Sequence, residues 1–350
     1  MKKKDESTGP GSAEASGGNE KSNTEKKKID RYGYIVTDQT NISKEEENLR
    51  NKEAKKEAER EMKWAIMLSK WDTFDKSKIN QRIKKGIPDC VRGIAWRRIL
   101  DPESFNDEKF NSRMSLDQII EEGEVPCCRT IEVDLERTMP TSDFFKQKAK
   151  LDALRKVLHA YSNFDKELGY TQGMGFYVGL LLSYMDEKES FWCFKNIMMD
   201  KWNMRFLFLK DFPHLHQLRK PWEHLFNSKH SQVLNRLNKL GISYELYSVS
   251  WFLCSFMNTS FNPELKLRIF DRIIAFGTRA KFSFAITIIS LLKKKLLKLP
   301  MERVLFALQN PDAMEEFQDW RNVIVCFDKH WLSRKQYQSL FSKTNTEFIK

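Results

Sequence analysis

The sequence predicts an all-α protein: a single large multi-helix domain with a disordered N-terminal tail. Three observations predict it. Apolar residues recur at three- and four-residue spacing from about residue 80 to about residue 340. Alternating strand patterns closed by tight hairpin turns are missing. The chain of 350 residues is 41% hydrophobic and holds 25 Phe and 9 Trp, enough to bury a sizeable core. No repeat with a period of roughly 20 to 50 residues recurs, which excludes a solenoid of sequence repeats.

The elements follow in order. Residues 1–28 are mostly Gly, Ser, Lys and Glu with little to bury, and are expected to be a disordered tail. Residues 29–81 form a docking segment and an N-terminal helix. An aromatic cluster at 29–35 (IDRYGYI) is expected to rest on the domain, and Ser43 with Glu46 has capping-box spacing. The helix that follows is polar all round until Met62, Trp64, Ala65, Met67, Leu68 and Trp71. The domain itself is expected over 82–345. Within it, Leu151, Leu154, Val157, Leu158 and Tyr161 mark one amphipathic helix; Val233, Leu234, Leu237 and Leu240 mark another, ended by Gly241. Ile269, Ile273, Ile274 and the runs 176–182 and 282–292 read as buried helices. Those runs fall short of the roughly 20 apolar residues needed to span a membrane.

The start, MKKKDESTGP, has no secretory pattern, so a soluble cytoplasmic protein is expected. The six cysteines contain no C-x-x-C pair, and they read as reduced, mostly structural thiols with no metal site. His214 and His216 lack supporting ligands and are set aside as a metal pair. Residues 1–60 hold 14 basic and 13 acidic residues, so nearly all of the net +12 lies further on. It gathers at 82–98 and at 261–310, where Lys293, Lys294, Lys295 and Lys298 interleave with leucines. Without a nucleic-acid motif, nucleic acid is not expected as a partner; an amphipathic, membrane-facing or protein-docking helix is the alternative.

Patterns for nucleotide binding, kinase chemistry and the nucleophile elbow are missing. Two segments stand out instead. In the first, Ile131, Asp134, Arg137 and Thr138 precede Pro140; Asp134 and Arg137 stand three apart, the spacing of a helical ion pair. In the second, Tyr170, Gln172 and Gly173 lie in a glycine-rich turn before the apolar run 176–182. Taken alone, each reads as an ordinary surface pair and an ordinary turn glutamine. A third segment at 82–96 carries Gly86, Ile87, Pro88, Arg92, Gly93 and Trp96.

Together these segments resemble the signatures of the TBC domain, the GTPase-activating module for Rab-type small GTPases: I-x-x-D-x-x-R-T, Y-x-Q-G and K-G-I-P-x-x-x-R-x-x-x-W. Trp251, Arg268 with Phe270 and Asp271, and then Gly277 are similar to later family blocks in the same order, and the match spans roughly 82–300. The resemblance implies that Arg137 is an arginine finger and Gln172 a second finger, both inserted in trans into the partner's nucleotide site. Asp134, Thr138, Tyr170 and Gly173 support them, and Ile87, Pro88, Arg92 and Trp251 contact the partner. It implies no cofactor of its own, since GTP and magnesium come with the GTPase, and a GTP-bound Rab-type partner in vesicle trafficking. Ser250, Phe270 and 258–262 depart from the family's usual residues, in packing rather than at the fingers. The alternatives are a non-catalytic scaffold for a GTP-loaded GTPase, and a peripheral endomembrane protein held to anionic lipid by the lysine helix.

Overall fold

The computed structural model describes residues 28–29, 35–36, 44–121, 127–135 and 147–349. Two short strands, β1 (Lys28–Ile29) and β2 (Ile35–Val36), pair antiparallel, Lys28 opposite Val36 and Ile29 opposite Ile35. Lys28, expected in the tail, thus belongs to a strand, and this short pairing is a departure from the all-helical expectation. The rest of the tail, the aromatic cluster's centre and Ser43 lie outside the described residues.

The rest of the described residues are helical or connecting. The N-terminal arm is α1 (Lys44–Ser69), followed by α2 (Lys76–Lys85), capped by the Asp75 side chain on the Ser77 amide, and α3 (Arg92–Leu100). Trp64 and Met67 bury the end of α1, but Met62 and Ile66 remain exposed. Two short helices, α4 (Asp107–Asn111) and α5 (Leu116–Glu121), lead to α6 (Cys128–Leu135). Next come α7 (Lys148–Phe164), α8 (Met174–Leu182) and α9 (Glu187–Lys195), the last opened by a capping box of Asp186 and Glu189. α7 is the hub of this first half and packs against α5, α6, α8 and α9. Its predicted stripe is the reason: Leu154, Val157, Leu158 and Tyr161 are all buried.

A π-helical turn at Asn196–Lys201 and α10 (Arg205–Phe208) lead to α11 (Pro213–Lys239), then α12 (Glu245–Ser248) and a second π turn at Val249–Leu253. The second half is completed by α13 (Pro263–Phe276), α14 (Thr278–Lys298), α15 (Met301–Gln309), α16 (Trp320–Lys329) and α17 (Arg334–Thr344). Here α14 is the hub, against α11, α13, α15 and α16. Every residue from Phe282 to Ile289 is buried, as expected for a helix apolar around most of its circumference. Two of its enclosed hydroxyls are satisfied within the helix: Ser283 Oγ donates to the Arg279 carbonyl and Thr287 Oγ1 to that of Ser283, both at 2.8 Å. Among the described residues no helix is long and apolar enough to cross a membrane.

Candidate functional site

The two unusual segments meet where α6 ends and α8 begins. α6 buries Ile131 and Leu135 one turn apart against α7, which brings Asp134 to the same end, also buried. After α7 the chain turns through Gly169, and the Tyr170 ring packs inside, its hydroxyl donating to Asp134 Oδ2. Burial, then the neighbouring Asp134 carboxylate, push the Tyr170 hydroxyl well above its ordinary pKa, so it stays protonated and can donate. The bond ties two segments 36 residues apart.

Beyond Tyr170, Thr171 Oγ1 donates to the Phe208 carbonyl at 3.2 Å and anchors the turn from the far side. Gly173 then takes φ 102°, a left-handed conformation costly for a side-chain-bearing residue, at the cap of α8. A Cβ there would also sit 3.2 Å from Cys254 Sγ. This forced turn leaves Gln172 exposed at the head of α8 while its neighbours Tyr170, Gly173 and Met174 are buried. Gln172 and Asp134 line one shallow cavity of about 290 Å³ with Arg129, Thr130 and Val133. Arg137 and Thr138 follow α6 within three residues of its last residue, Leu135, and lie outside the described residues.

The residues expected at the partner contact are buried in this chain: Ile87, Pro88, Arg92 and Trp251 all lie within the frame. Arg92 donates from Nε to Asp271 Oδ1 at 3.3 Å and from Nη2 to the Ile87 carbonyl at 2.7 Å. Trp96 Nε1 reaches the same Asp271 oxygen at 2.8 Å. Trp251 sits in the second π turn, donates to the Leu308 carbonyl at 3.0 Å and packs its ring 4.8 Å from that of Tyr247. These motif residues build the frame. Motif position alone does not distinguish frame from surface; burial does.

The departures from the expected pattern are also structural. Phe270 is buried edge-on against Trp96 with ring centroids 5.0 Å apart, and Ser250 Oγ bonds Asn258 at 3.0 Å. His214 stacks on Phe206 with ring centroids 4.8 Å apart. The basic run at 82–98 is largely engaged internally: beside Arg92, Arg97 pairs with Glu189, and Arg98 lies 3.7 Å over the Phe105 ring. Cys193 and Cys254 are buried as expected, whereas Cys90 and Cys128 are exposed. One grouping was not read from the sequence: Cys128, Glu132 and His159 bring a thiol, a carboxylate and an imidazole together. Cys128 and Glu132 stand one helical turn apart, the signal that could have found them; His159, 27 residues on, carries none.

The helical frame and the paired motif segments define a TBC-type domain. The family model described as the Rab-GTPase-TBC domain matches residues 89–297, and the chain belongs to that family. It is 29% identical over 248 residues to the human ecotropic viral integration site 5 protein homolog, covering 69% of this chain and 30% of that one. To the GTPase-activating protein GYP5 of Saccharomyces cerevisiae it is 31% identical over 233 residues, covering 66% and 25% respectively. The chain thus spans between a quarter and a third of the length of these curated relatives. In fold it is similar to the crystal structure of the Chlamydomonas flagellar RabGAP TBC domain. The TM-score is 0.66 at 20% identity, covering 87% of this chain and 100% of that one.

Proposed function

We propose that this chain accelerates GTP hydrolysis by a GTP-loaded Rab-type small GTPase, with Arg137 and Gln172 acting in trans. The observation that carries the reading is the Tyr170–Asp134 hydrogen bond. It joins the two motif segments, so that Gln172 stands exposed on the same cavity as the end of the helix that runs toward Arg137. Family membership and the names of the relatives, among them a Rab GTPase-activating protein of Caenorhabditis elegans, support it.

The chemistry follows from the residue types. In phosphoryl transfer, charge accumulates on the γ-phosphate oxygens and the leaving oxygen. A fixed guanidinium with a planar fork donates to two of them at once. A carboxamide can accept from the attacking water and donate to a phosphate oxygen, which orients the nucleophile. GTP and magnesium are the partner's, so the chain needs only to present two side chains and exclude water. Asp134, held by Tyr170, fixes the end of α6; Gly173 lets the turn bring Gln172 close; Thr138 follows the arginine in the same segment.

The test is phosphate release from a panel of GTP-loaded Rab-type GTPases with and without the chain. Stimulation should appear for at least one member and fall by about 10³- to 10⁵-fold for Arg137→Ala, the worth of such a finger. Stimulation unchanged by Arg137→Ala would reject the mechanism. Binding of a GTP-loaded GTPase without turnover by the wild type would instead favour the scaffold reading.

Exposed Lys293, Lys294 and Lys298 at the end of α14 support a further element, peripheral attachment to an anionic endomembrane in vesicle trafficking. Lys295 does not contribute, because Glu315 and Glu316 pair with it at 3.0 and 2.9 Å. Vesicle sedimentation that weakens with salt and with Lys293→Glu checks this.

A further inference from the structure

We propose that Cys128, Glu132 and His159 form a zinc-binding site that staples α6 to α7. Cys128 and Glu132 lie four residues apart, on one face of α6, and His159 faces them from α7. Their ligand atoms all lie within 4.8 Å of one another. Cys128 Sγ is 3.7 Å from His159 Nε2, and His159 Nε2 is 3.9 Å from Glu132 Oε1.

Those separations are close to what one ion requires. With Zn–S of about 2.3 Å, Zn–N of about 2.0 Å and Zn–O of about 2.0–2.2 Å, tetrahedral ligands stand roughly 3.3 to 3.6 Å apart. The Cys128–His159 and His159–Glu132 pairs need to close by roughly half an ångström or less, and the Cys128–Glu132 pair, within 4.8 Å, by up to about 1.2 Å, which rotation of the Glu132 and Cys128 side chains can supply. The donor set selects the metal class: a thiolate and an imidazole prefer zinc or cobalt over magnesium or calcium, which demand oxygen ligands. Three protein ligands leave a fourth position, and because Cys128 is exposed that position opens to water.

The surroundings fit a metal ligand set. Arg155 donates to Glu132 through Nε at 2.6 Å and Nη2 at 3.1 Å. A carboxylate has lone pairs to spare for both partners, and hydrogen-bonded carboxylates are common among metal ligands because the outer donor orients them. The adjacent Cys127 is not part of the set. Its sulfur accepts the Tyr170 backbone N–H at 3.4 Å and lies 2.8 Å from where a Cβ on Gly169 would be, so it faces the interior turn. On binding, the Cys128 thiol releases its proton to solvent as the Zn–S bond forms, while the neutral imidazole and the ionised carboxylate donate lone pairs.

This inference does not depend on the proposed function, although the two adjoin. Asp134 lies on the same eight-residue helix, so an ion at its start would restrain the segment that leads toward Arg137.

The experiment uses the full chain, reduced and stripped of metal. Zinc is titrated in competition with a chromophoric chelator, and cobalt(II) is added separately to read its absorption. The expected result is one zinc per chain, a thiolate-to-cobalt charge-transfer band, and a zinc-dependent rise in Tm. Cys128→Ser should abolish the band and the rise and weaken zinc at least 10-fold. His159→Gln should also weaken zinc at least 10-fold, and Cys90→Ser, at the other exposed thiol, should change nothing. Cys128 is exposed, so its variant is expected to fold, and circular dichroism verifies this. Absence of stoichiometric zinc, zinc affinity unaffected by Cys128→Ser, or equal loss in Cys90→Ser would overturn the proposal.

Discussion

Tyr170 and Gln172 are two residues apart yet belong to opposite environments, and the difference fixes what each substitution should do. Tyr170→Phe removes one hydrogen-bond donor from the buried Asp134 carboxylate. A hydrogen bond to a charged group contributes about 1.5–3 kcal/mol, so stability should fall by that amount in denaturant unfolding. GTPase stimulation should fall with it, since the end of α6 loses its tie to the glutamine turn. Gln172→Ala should behave oppositely. Its side chain is exposed, so the midpoint of unfolding should stay within experimental error while stimulation drops about 10²- to 10³-fold, the range for losing one oriented polar group at a reacting centre. Equal stability losses in the two variants would contradict this division. From sequence, both motifs were legible as residue patterns, and the glycines correctly announced a turn. The pairing of Tyr170 with Asp134 was not, because spacing along the chain predicts contacts only within an element. The sequence paired Asp134 with Arg137 for that reason.

At the scale of elements, periodicity predicted α7, α11 and α14 because each carries a long apolar stripe that only a helix can present to one side. It did not predict how they bend. α11 departs from helical geometry at His230, with φ −146° and ψ 50°. A histidine there gives no pattern signal. Both its ring nitrogens are buried without a hydrogen-bond partner among the described residues. Burial, then the nearby His330, Lys293 and Lys229, lower its pKa from 6.5 to about 4. A depressed pKa means the unfolded chain binds the proton more readily. Stability is therefore fully present above about pH 6.5 and is lost as pH falls toward 4. Because the ring is only half buried, the effect is discounted to about 1–2 kcal/mol. The expected outcome is that Tm drops between pH 7 and pH 5 in the wild type and drops less in His230→Leu; parallel profiles would exclude His230 as the cause. The junction between α13 and α14 is tighter still. Gly277 has φ 62° and ψ −144°, and a Cβ there would lie 2.5 Å from the Trp202 ring. Gly277→Ala combines backbone strain with a clash against a large side chain. It should cost at least about 2 kcal/mol, seen as a lower urea midpoint with unchanged slope.

For the molecule as a whole, the decisive contacts join its beginning to its second half. Asp271 on α13 is wholly enclosed and accepts from Arg92, from Trp96 and, at 3.4 Å, from the Ile87 amide. From the same helix, Arg268 Nη1 donates to the Lys85 carbonyl at 2.7 Å and Arg272 Nη2 to that of Lys84 at 2.6 Å. These are the last carbonyls of α2, which no intrahelical amide can reach, so α13 caps α2 with two guanidinium groups. The partners stand 175 to 188 residues apart in sequence, so these bonds form only once both halves are in place. That explains why motif residues read as partner contacts turned out to be interior: a signature can be shared because it closes the fold. Removing one side of a buried ion pair leaves the other charge without compensation, at a cost of about 3–5 kcal/mol, a large part of the 5–15 kcal/mol that holds a typical domain. Arg92→Met and Asp271→Leu should each therefore unfold at clearly lower denaturant. The double variant Arg92→Met with Asp271→Leu leaves no stranded charge and should lose less than the two single variants combined. A cycle in which the losses simply add would mean that Arg92 and Asp271 are packed side by side without acting as the clasp between the halves.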